Sequence, residues 1–256
     1  MLKQRIATAS ILALMAVWGV LKLPIAGFGL ALLLVVLLGA WEWSHLAELV
    51  RRRDRVLYSG LVLTLVLVIW PLIGRVAVIG GLLIPVFAGW CYIPIWLRCY
   101  ADQPDCPDHP VTVGVAGIVI LLASWVALMA LRDGFGPSYV LFLLLLIWVA
   151  DIGAYFAGRR WGRHKLAPAI SPGKTWEGVG GAGVAALVFA MVGAMVLGVG
   201  HGLWFVMVCM VTVGFSIVGD LFESMFKRQR GVKDSGSLLP GHGGVLDRMD
   251  SLTAAA

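Results

Sequence analysis

Four polar residues lie at helical spacing in an otherwise apolar stretch near the C-terminal end. Asp220, Glu223, Ser224 and Lys227 follow one another at i, i+3, i+4 and i+7, among Val, Phe, Ile and Met. A helix would present them as one polar stripe. An Asp in the middle of a membrane helix costs about 2.5–3.5 kcal/mol on insertion scales, so the stripe predicts a polar partner.

The next segment combines cations with carboxylates. Its cations are Lys227, Arg228, Arg230 and Lys233, and its carboxylates include Asp247 and Asp250. Cations stabilise phosphate oxygens, and carboxylates hold Mg²⁺, so the combination suits phosphoryl or nucleotidyl transfer. A positive-inside anchor with solvated counter-charges would explain the cations. It leaves unexplained His242-Gly243-Gly244, whose glycines allow close backbone approach to a ligand.

An earlier segment carries a second set of candidate groups. Asp151 stands in an apolar run, either as a site residue or as a helix-terminal acid that reaches the interface. Gly173-Lys174-Thr175 is similar to the end of a P-loop, but Pro168 occupies the position of the first glycine and no strand is predicted before it. A P-loop domain is therefore not supported, although Ser171 and Lys174 still suit phosphate binding.

The composition requires lipid as the main solvent of the chain. Of 256 residues, 60% are hydrophobic and 13% charged, with a mean hydropathy of +0.93, whereas soluble domains carry about 25% charged residues. The apolar runs lie at 6–21, 24–43, 57–74, 76–97, 111–131, 136–158, 178–200 and 202–226. They are continuous rather than alternating, which predicts an all-α polytopic bundle of about eight helices, within a range of seven to nine, and not a barrel.

Lys and Arg predict the orientation. Basic segments stand at 3–5, 51–55, 159–174 and 227–233. Eight spans would put all four on one side, which should be cytoplasmic together with the N-terminus and the C-terminal motif. The net charge of +6 is explained by this bias and a polyanionic substrate, and not by nucleic acid. Residues 1–135 are interpreted as N-terminal membrane helices and 136–256 as the catalytic region.

Two further readings are rejected. Cys106 and His109 have the spacing of a zinc half-site, but no second ligand pair follows, so the four cysteines are interpreted as free thiols. The basic start of the chain is similar to a signal peptide. It lacks a convincing cleavage site and further apolar runs come after it, so a retained first helix is expected.

The stretch from Ser224 to Asp250 closely resembles the signature of phosphatidate cytidylyltransferases, also called CDP-diglyceride synthases, over 27 residues without a mismatch. The segment from Asp151 to Gly178 looks like a second region of the same family. The resemblance implies that an ionised phosphatidate oxygen attacks the α-phosphorus of CTP, and that pyrophosphate leaves with Mg²⁺ assistance. Positioning and charge stabilisation would then dominate, since the nucleophile is already an anion.

The resemblance also implies roles for particular residues and partners. Catalysis is expected of Asp220, Lys227, Asp247 and Arg248, and metal binding of Asp220, Asp247 and Asp250. Substrate binding is expected of Ser171, Lys174, Ser224, Arg228, Lys233, His242, Gly243 and Gly244. The expected partners are CTP, phosphatidate and the lipid bilayer of the cytoplasmic (inner) membrane, with Mg²⁺ as cofactor and no nucleic acid. A homodimer is plausible for such a bundle, but no residue pattern indicates it.

One departure and three alternatives accompany this interpretation. Family members usually continue past the signature into another apolar segment, whereas this sequence stops at Ala256, so the geometry of Asp247 and Asp250 is expected to depend on that further segment.

A CTP-dependent kinase of the polyprenol type would move the γ-phosphoryl group instead. A transporter would also carry mid-membrane acids, and a purely structural membrane protein would leave both polar segments without a reason. The motif of CDP-alcohol phosphotransferases is absent.

Overall fold

The computed structural model describes residues 2–102, 108–236, 238 and 243–256. The helices and strands are α1 (Leu2–Lys22), α2 (Ile25–Leu46), α3 (Arg52–Ile69), α4 (Val76–Asp102), α5 (Pro110–Phe135), α6 (Pro137–Trp161), β1 (Lys165–Ala167), β2 (Ser171–Thr175), α7 (Trp176–Val196), α8 (Gly202–Gln229) and α9 (Asp250–Ala255). Short 3₁₀ turns occupy Trp70–Leu72 and Leu246–Arg248.

The prediction of an all-α polytopic membrane protein is confirmed. Each of the eight predicted apolar runs coincides with one of the helices α1 to α8. Within the described residues, the seven helices α2 to α8 are long and apolar enough to cross a membrane, and the apolar part of α1, Thr8–Lys22, is shorter. The hairpin of β1 and β2, with Lys165 opposite Thr175, was not predicted, because two strands of 3 and 5 residues leave little periodicity to detect.

The boundaries of the helices follow from local backbone chemistry. Gly136 has a φ of 88°, which ends α5 in a conformation that a side chain would strain, and Pro137 begins α6 with its φ already suited to a helix. Thr175 caps α7 by accepting a hydrogen bond from the Gly178 amide at 3.2 Å. The ring of His109 accepts a hydrogen bond from the Val111 amide and so caps α5.

The chain forms two compact units, and each of them is assembled from three separate stretches of the sequence. Unit 1 comprises Met1–Cys91, Pro107–Leu141 and Phe226–Met249, and unit 2 comprises Tyr92–Cys106, Phe142–Met225 and Asp250–Ala256. The division of the sequence at residue 135 into N-terminal helices and a catalytic region concerns function, and it stays a prediction.

Unit 1 is held together by tryptophan and tyrosine side chains that donate to helix carbonyls. The Trp43 indole donates to the Val113 carbonyl at 2.8 Å, and the Tyr58 hydroxyl donates to the Gly114 carbonyl at 2.8 Å. Away from water each polar atom of such a side chain needs a protein partner. Gly117 makes room for this arrangement, since a Cβ there would lie 2.3 Å from the Trp43 ring. These contacts join α2 and α3 to α5.

Unit 2 is packed through small residues. The buried core combines Ala182, Ala186 and Ala190 of α7 with Leu146 and Ala150 of α6 and Cys209 and Val213 of α8. Small side chains let membrane helices approach closely, where lipid supplies no hydrophobic force between them. At Gly181, an added Cβ would lie 2.3 Å from the Ala157 Cβ and 2.6 Å from the Gly153 carbonyl oxygen. The backbones of α6 and α7 are therefore almost in contact.

This contact predicts different effects of one methyl group at neighbouring glycines. Gly181→Ala should destabilise the protein by about 1–3 kcal/mol, because the backbone of α6 must move to admit the methyl group. Gly180→Ala meets nothing within 4 Å and should be neutral or stabilising by up to about 1 kcal/mol through helix propensity. Thermal unfolding of both variants in detergent measures the difference, and equal melting temperatures would contradict the close approach of α6 and α7.

Candidate active site

Unit 2 contains a pocket of about 310 Å³. Its polar lining comes from α6, β2, α8 and α9, and consists of Asp151, Tyr155, Arg159, Lys174, Thr175, Ser216, Asp220 and Ser251. Backbone at Gly158, Gly173 and Gly178 completes part of the wall. Both polar segments singled out in the sequence therefore supply residues to one pocket.

An ion pair lies in this pocket. The Lys174 ammonium nitrogen is 2.6 Å from Oδ2 of Asp220, and the side chains of Lys174 and Asp220 are 25% and 28% exposed to solvent. The Ser224 hydroxyl donates to Oδ1 of Asp220 at 3.3 Å. Asp151 lines the same pocket, so two carboxylates and one ammonium are gathered there. Such a group can bind a polyanion together with its counter-cation.

The hairpin places Lys174 at the pocket. The Lys165 ammonium donates to the Pro172 carbonyl at 2.8 Å, and the Trp176 amide donates to the His164 carbonyl at 2.9 Å. The Glu177 carboxylate lies 2.7 Å from Nδ1 of His164 and joins the start of α7 to the start of the hairpin. These contacts leave Lys174 on a short strand that leads directly into α7.

The hairpin also corrects one expectation. No strand was predicted before Gly173-Lys174-Thr175, but these residues lie at the end of β2 and immediately before α7. The prediction failed because the strand is short and depends on its pairing with β1. Pro168 still occupies the position of the first P-loop glycine, so the local strand–helix order does not make this segment a P-loop.

Unit 1 holds a second centre, formed by the end of α8 and the signature loop, which we define as residues 230–249. The Lys227 ammonium lies 2.8 Å from Oδ1 of Asp247, and the two side chains are only 7% and 8% exposed. The amides of Ser235, at 3.0 and 3.2 Å, and of Gly244, at 2.8 Å, donate to the same carboxylate. Burial raises the pKa of Asp247, but the Lys227 pair and the amide donors outweigh it and hold the pKa below its usual value. Asp247 is therefore ionised at neutral pH.

The two glycines of the loop fit against protein carboxylates. Gly243 has a φ of 82°, and a Cβ there would lie 2.7 Å from Oδ2 of Asp247. A Cβ at Gly244 would lie 2.3 Å from Oε2 of Glu42. Sequence reasoning related these glycines to the approach of a ligand. Within the described residues, their nearest neighbours are Asp247 for Gly243, and Glu42 and the Ser235 hydroxyl for Gly244.

Glu42 is a buried acid of this centre that the sequence analysis did not single out. It lies on α2 with 3% of its surface exposed. Its carboxylate accepts hydrogen bonds from the Ser235 hydroxyl at 3.1 Å and from the amides of Val245 at 3.0 Å and Leu246 at 2.8 Å. The signal was available, because Glu42 is an acid in an apolar run, the same rule that singled out Asp151 and Asp220. It stands between Trp41 and Trp43 near the end of that run, and the sequence analysis did not consider it.

The remaining predicted residues are distributed over both units. Ser171 opens β2, Arg228 lies at the end of α8, and Lys233 and Arg248 are exposed. Asp250 begins α9, and its carboxylate accepts a hydrogen bond from the Ser251 amide at 2.8 Å. His242 lies outside the described residues, as does Cys106 of the rejected zinc site. Unit 2 contains Ser171, Lys174, Asp220, Ser224 and Asp250, and unit 1 contains Lys227, Arg228, Lys233, Gly243, Gly244, Asp247 and Arg248.

The donors of the pocket suit a hard divalent cation. In the described part of the chain, no cluster of three or more His, Cys, Asp or Glu side chains forms a ready-made cage. The pocket does offer the carboxylates of Asp151 and Asp220 and the hydroxyls of Ser216 and Ser251. Mg²⁺ takes oxygen ligands and is usually bound through one or two carboxylates, with water and substrate phosphates as its other ligands. The residues present therefore fit a Mg²⁺ that arrives with a nucleotide.

Comparison with known proteins extends the similarity beyond the signature. The profile of the cytidylyltransferase family matches residues 3–256. The chain belongs to the cytidylyltransferase family. It is 41% identical over 274 aligned residues to a phosphatidate cytidylyltransferase of Pseudomonas aeruginosa, with 100% of this chain and 94% of that protein covered. It is 37% identical over 277 residues to a phosphatidate cytidylyltransferase of Haemophilus influenzae, with 100% and 96% covered.

Another relative matches a smaller part of the chain. A phosphatidate cytidylyltransferase of Brucella suis is 48% identical over 145 residues, which cover 55% of this chain and 53% of that protein. The family match over residues 3–256 nevertheless includes the N-terminal helices, which sequence reasoning related to the family only through their apolar character.

The buried pair in unit 1 of this cytidylyltransferase-family chain predicts a large effect of losing one partner. Lys227→Met should lower the free energy of unfolding by about 3–5 kcal/mol, because it leaves the Asp247 carboxylate buried without its counter-charge. Lys233→Met is the control, since Lys233 is exposed and such substitutions usually change stability by about 0.5 kcal/mol or less. Unfolding in detergent measures both variants, and equal stability would contradict a buried ion pair at Asp247.

Proposed function

We propose that the chain transfers a cytidylyl group from CTP to phosphatidate, which gives CDP-diacylglycerol and pyrophosphate. One observation carries the proposal. A chain similar over its whole length to two phosphatidate cytidylyltransferases holds Lys174 against Asp220 in a pocket that Asp151 also lines. Cations and carboxylates are the groups that transfer between two polyanions needs.

The reaction follows from the charges of the reactants. A phosphatidate oxygen forms a bond to the α-phosphorus of CTP while the bond from that phosphorus to the bridging oxygen of the β-phosphate breaks, and pyrophosphate takes the electron pair. The nucleophile is already an anion, so no general base is required. The barrier is then lowered mainly by holding the two phosphates in line and by neutralising their charge.

The residues of unit 2 divide these tasks. Lys174, which contacts Asp220 in this structure, would bind phosphate oxygens of the nucleotide, and the Asp220 carboxylate would be one of the groups that hold Mg²⁺. When bound, Mg²⁺ supplies charge neutralisation to the triphosphate and to the leaving pyrophosphate. Asp151 contributes a second carboxylate to the pocket, while Arg159 offers a further cation to a phosphate.

The cations of unit 1 stay predicted phosphate ligands in this proposal. They are Arg228, Lys233, His242 and Arg248, which are expected to bind phosphate groups of CTP or of the lipid. Lys227 holds Asp247 ionised in the signature loop. Asp247 and Asp250 stay predicted metal ligands, and a homodimer stays a prediction.

We propose the cytoplasmic membrane as the location, with the basic segments on the cytoplasmic face. Seven apolar helices in the described residues support a multi-pass protein. Four of these helices, α3 to α6, lie between the basic segment at 51–55 and the one at 159–174. Two more, α7 and α8, lie between the segment at 159–174 and the one at 227–233. Both numbers are even, so these segments share a face whether or not α1 crosses the membrane.

The activity is tested with purified protein in detergent, Mg²⁺, phosphatidate and CTP labelled at the α-phosphate. We expect the label to enter the lipid phase while pyrophosphate is released. Asp220→Asn should lower the rate at least about 100-fold, because it removes a carboxylate that would hold the Mg²⁺ by which the triphosphate is neutralised. Asp133→Asn, at an exposed acid outside the pocket, should retain the rate.

The same assay separates the competing functions. A kinase of the polyprenol type would leave the α-label in CDP and move label from the γ-phosphate of CTP into a lipid. Absence of both transfers from an intact, folded protein would contradict the proposed function.

The proposed orientation predicts which sites an impermeant reagent reaches. In a variant with all four cysteines replaced by serine, Gly200→Cys should react with an impermeant maleimide in intact spheroplasts. Arg53→Cys should react only after lysis, because five apolar helices lie between the two positions. Both positions are exposed. Labelling of Arg53→Cys before lysis, with Gly200→Cys protected, would invert the topology.

A further inference from the structure

We infer that Glu42 is a positioning residue of the enzyme, which holds the signature loop from outside the signature and thereby sets the place of Asp247. The inference rests on the proposed function for its meaning in catalysis. Its structural part, the attachment of the loop to Glu42, can be tested independently of that function.

Two carboxylates hold the loop between them. Ser235 donates its amide to Asp247 and its hydroxyl to Glu42. On the other side of the loop the Gly244 amide donates to Asp247, and the next two amides, at Val245 and Leu246, donate to Glu42. The same two short segments are therefore fixed by both acids, and the position of one carboxylate depends on the other.

In the described part of the chain, the hydrogen bonds of Glu42 join it to the loop. Ser235, Val245 and Leu246 of the signature loop donate them, although Glu42 itself belongs to α2. A carboxylate that is 3% exposed persists only where donors replace water. Two glycines are fitted to it, since a Cβ would lie 2.5 Å from Oε1 at Gly236 and 2.3 Å from Oε2 at Gly244. The described residues of the loop at 235–236 and 244–246 therefore lie against the Glu42 side chain.

Glu42 acts through Asp247 and not on a substrate. Its oxygens are engaged by backbone amides and a serine hydroxyl, whereas Asp247 is the group paired with Lys227. Removing the acceptor at Glu42 frees the amides of Val245 and Leu246, which immediately precede Asp247 in the chain. The carboxylate of Asp247 would then be held less firmly. Groups that orient a metal ligand typically change metal affinity or activity by about 10- to 100-fold when they are mutated.

The first measurement is hydrogen–deuterium exchange of the purified full chain without nucleotide or metal. Glu42→Gln replaces one of the two acceptor oxygens by an amide NH₂, so one of the amides of Val245 and Leu246 loses its acceptor and exchange should rise at residues 243–248. Ser44→Ala is the matched control, because Ser44 is a fully buried polar residue of the same helix, and its hydroxyl contacts Trp41 and Arg55 instead of the loop. Ser44→Ala should leave exchange at 243–248 unchanged.

The second measurement is the Mg²⁺ dependence of lipid labelling from CTP. Glu42→Gln should raise the half-activating Mg²⁺ concentration roughly 10- to 100-fold. Glu42→Asp keeps the charge and should recover part of this loss, whereas Ser44→Ala should retain the wild-type value. Unchanged exchange at 243–248 together with an unchanged Mg²⁺ requirement in Glu42→Gln would overturn the inference.

Ser235→Ala decides the question if the Glu42 variants do not fold. It removes the hydroxyl that donates a hydrogen bond to Glu42, and it leaves in place the hydrogen bond from the Ser235 amide to Asp247. Raised exchange at 243–248 in this variant supports the attachment, and wild-type exchange overturns it. Wild-type protein that labels no lipid would contradict the proposed function alone, since the exchange measurement would still report on Glu42.

Discussion

Lys227 and Asp247 are almost completely removed from solvent, and the loop between α8 and α9 is arranged around that pair. In a protein surrounded by lipid, a buried carboxylate must find its donors within the chain, since unsatisfied polar groups cost several kcal/mol there. Asp247 takes them from Lys227 and from the amides of Ser235 and Gly244. The described residues on both sides of the loop supply these donors, and a second buried carboxylate, Glu42, attaches the same residues to α2.

Charged groups in the pocket of unit 2 also need partners, but they are less buried than Lys227 and Asp247. Lys174 and Asp220 form a shorter contact but keep about a quarter of their exposure, so solvent and ligands can compete for them. A pair that is buried and fully hydrogen-bonded organises structure, whereas a pair that lines a pocket can exchange partners. The exposure of the Lys174–Asp220 pair therefore supports the contact with an incoming phosphate that is proposed for cytidylyl transfer.

Sequence reasoning was effective where a property repeats along the chain. Continuous apolar runs predicted α1 to α8, because a helix is the only open segment that satisfies its own backbone in lipid. The isolated acids Asp151 and Asp220 were recognised for a related reason and lie in one pocket. The hairpin that carries Lys174 was missed, since strands of 3 and 5 residues are specified by pairing with each other and not by a periodic pattern.

The amino-acid sequence by itself determined the membrane class, the helices and the family, because hydropathy and a long signature are local properties of the chain. Only the tertiary structure decided which residues serve as partners. Glu42 precedes Leu246 by 204 positions, and yet the two are joined by a hydrogen bond of 2.8 Å. Likewise, the side chains nearest to the glycines at 243 and 244 include two carboxylates that meet them only in the folded protein. A hydrogen bond depends on distance in space, and spacing along the sequence does not contain that distance.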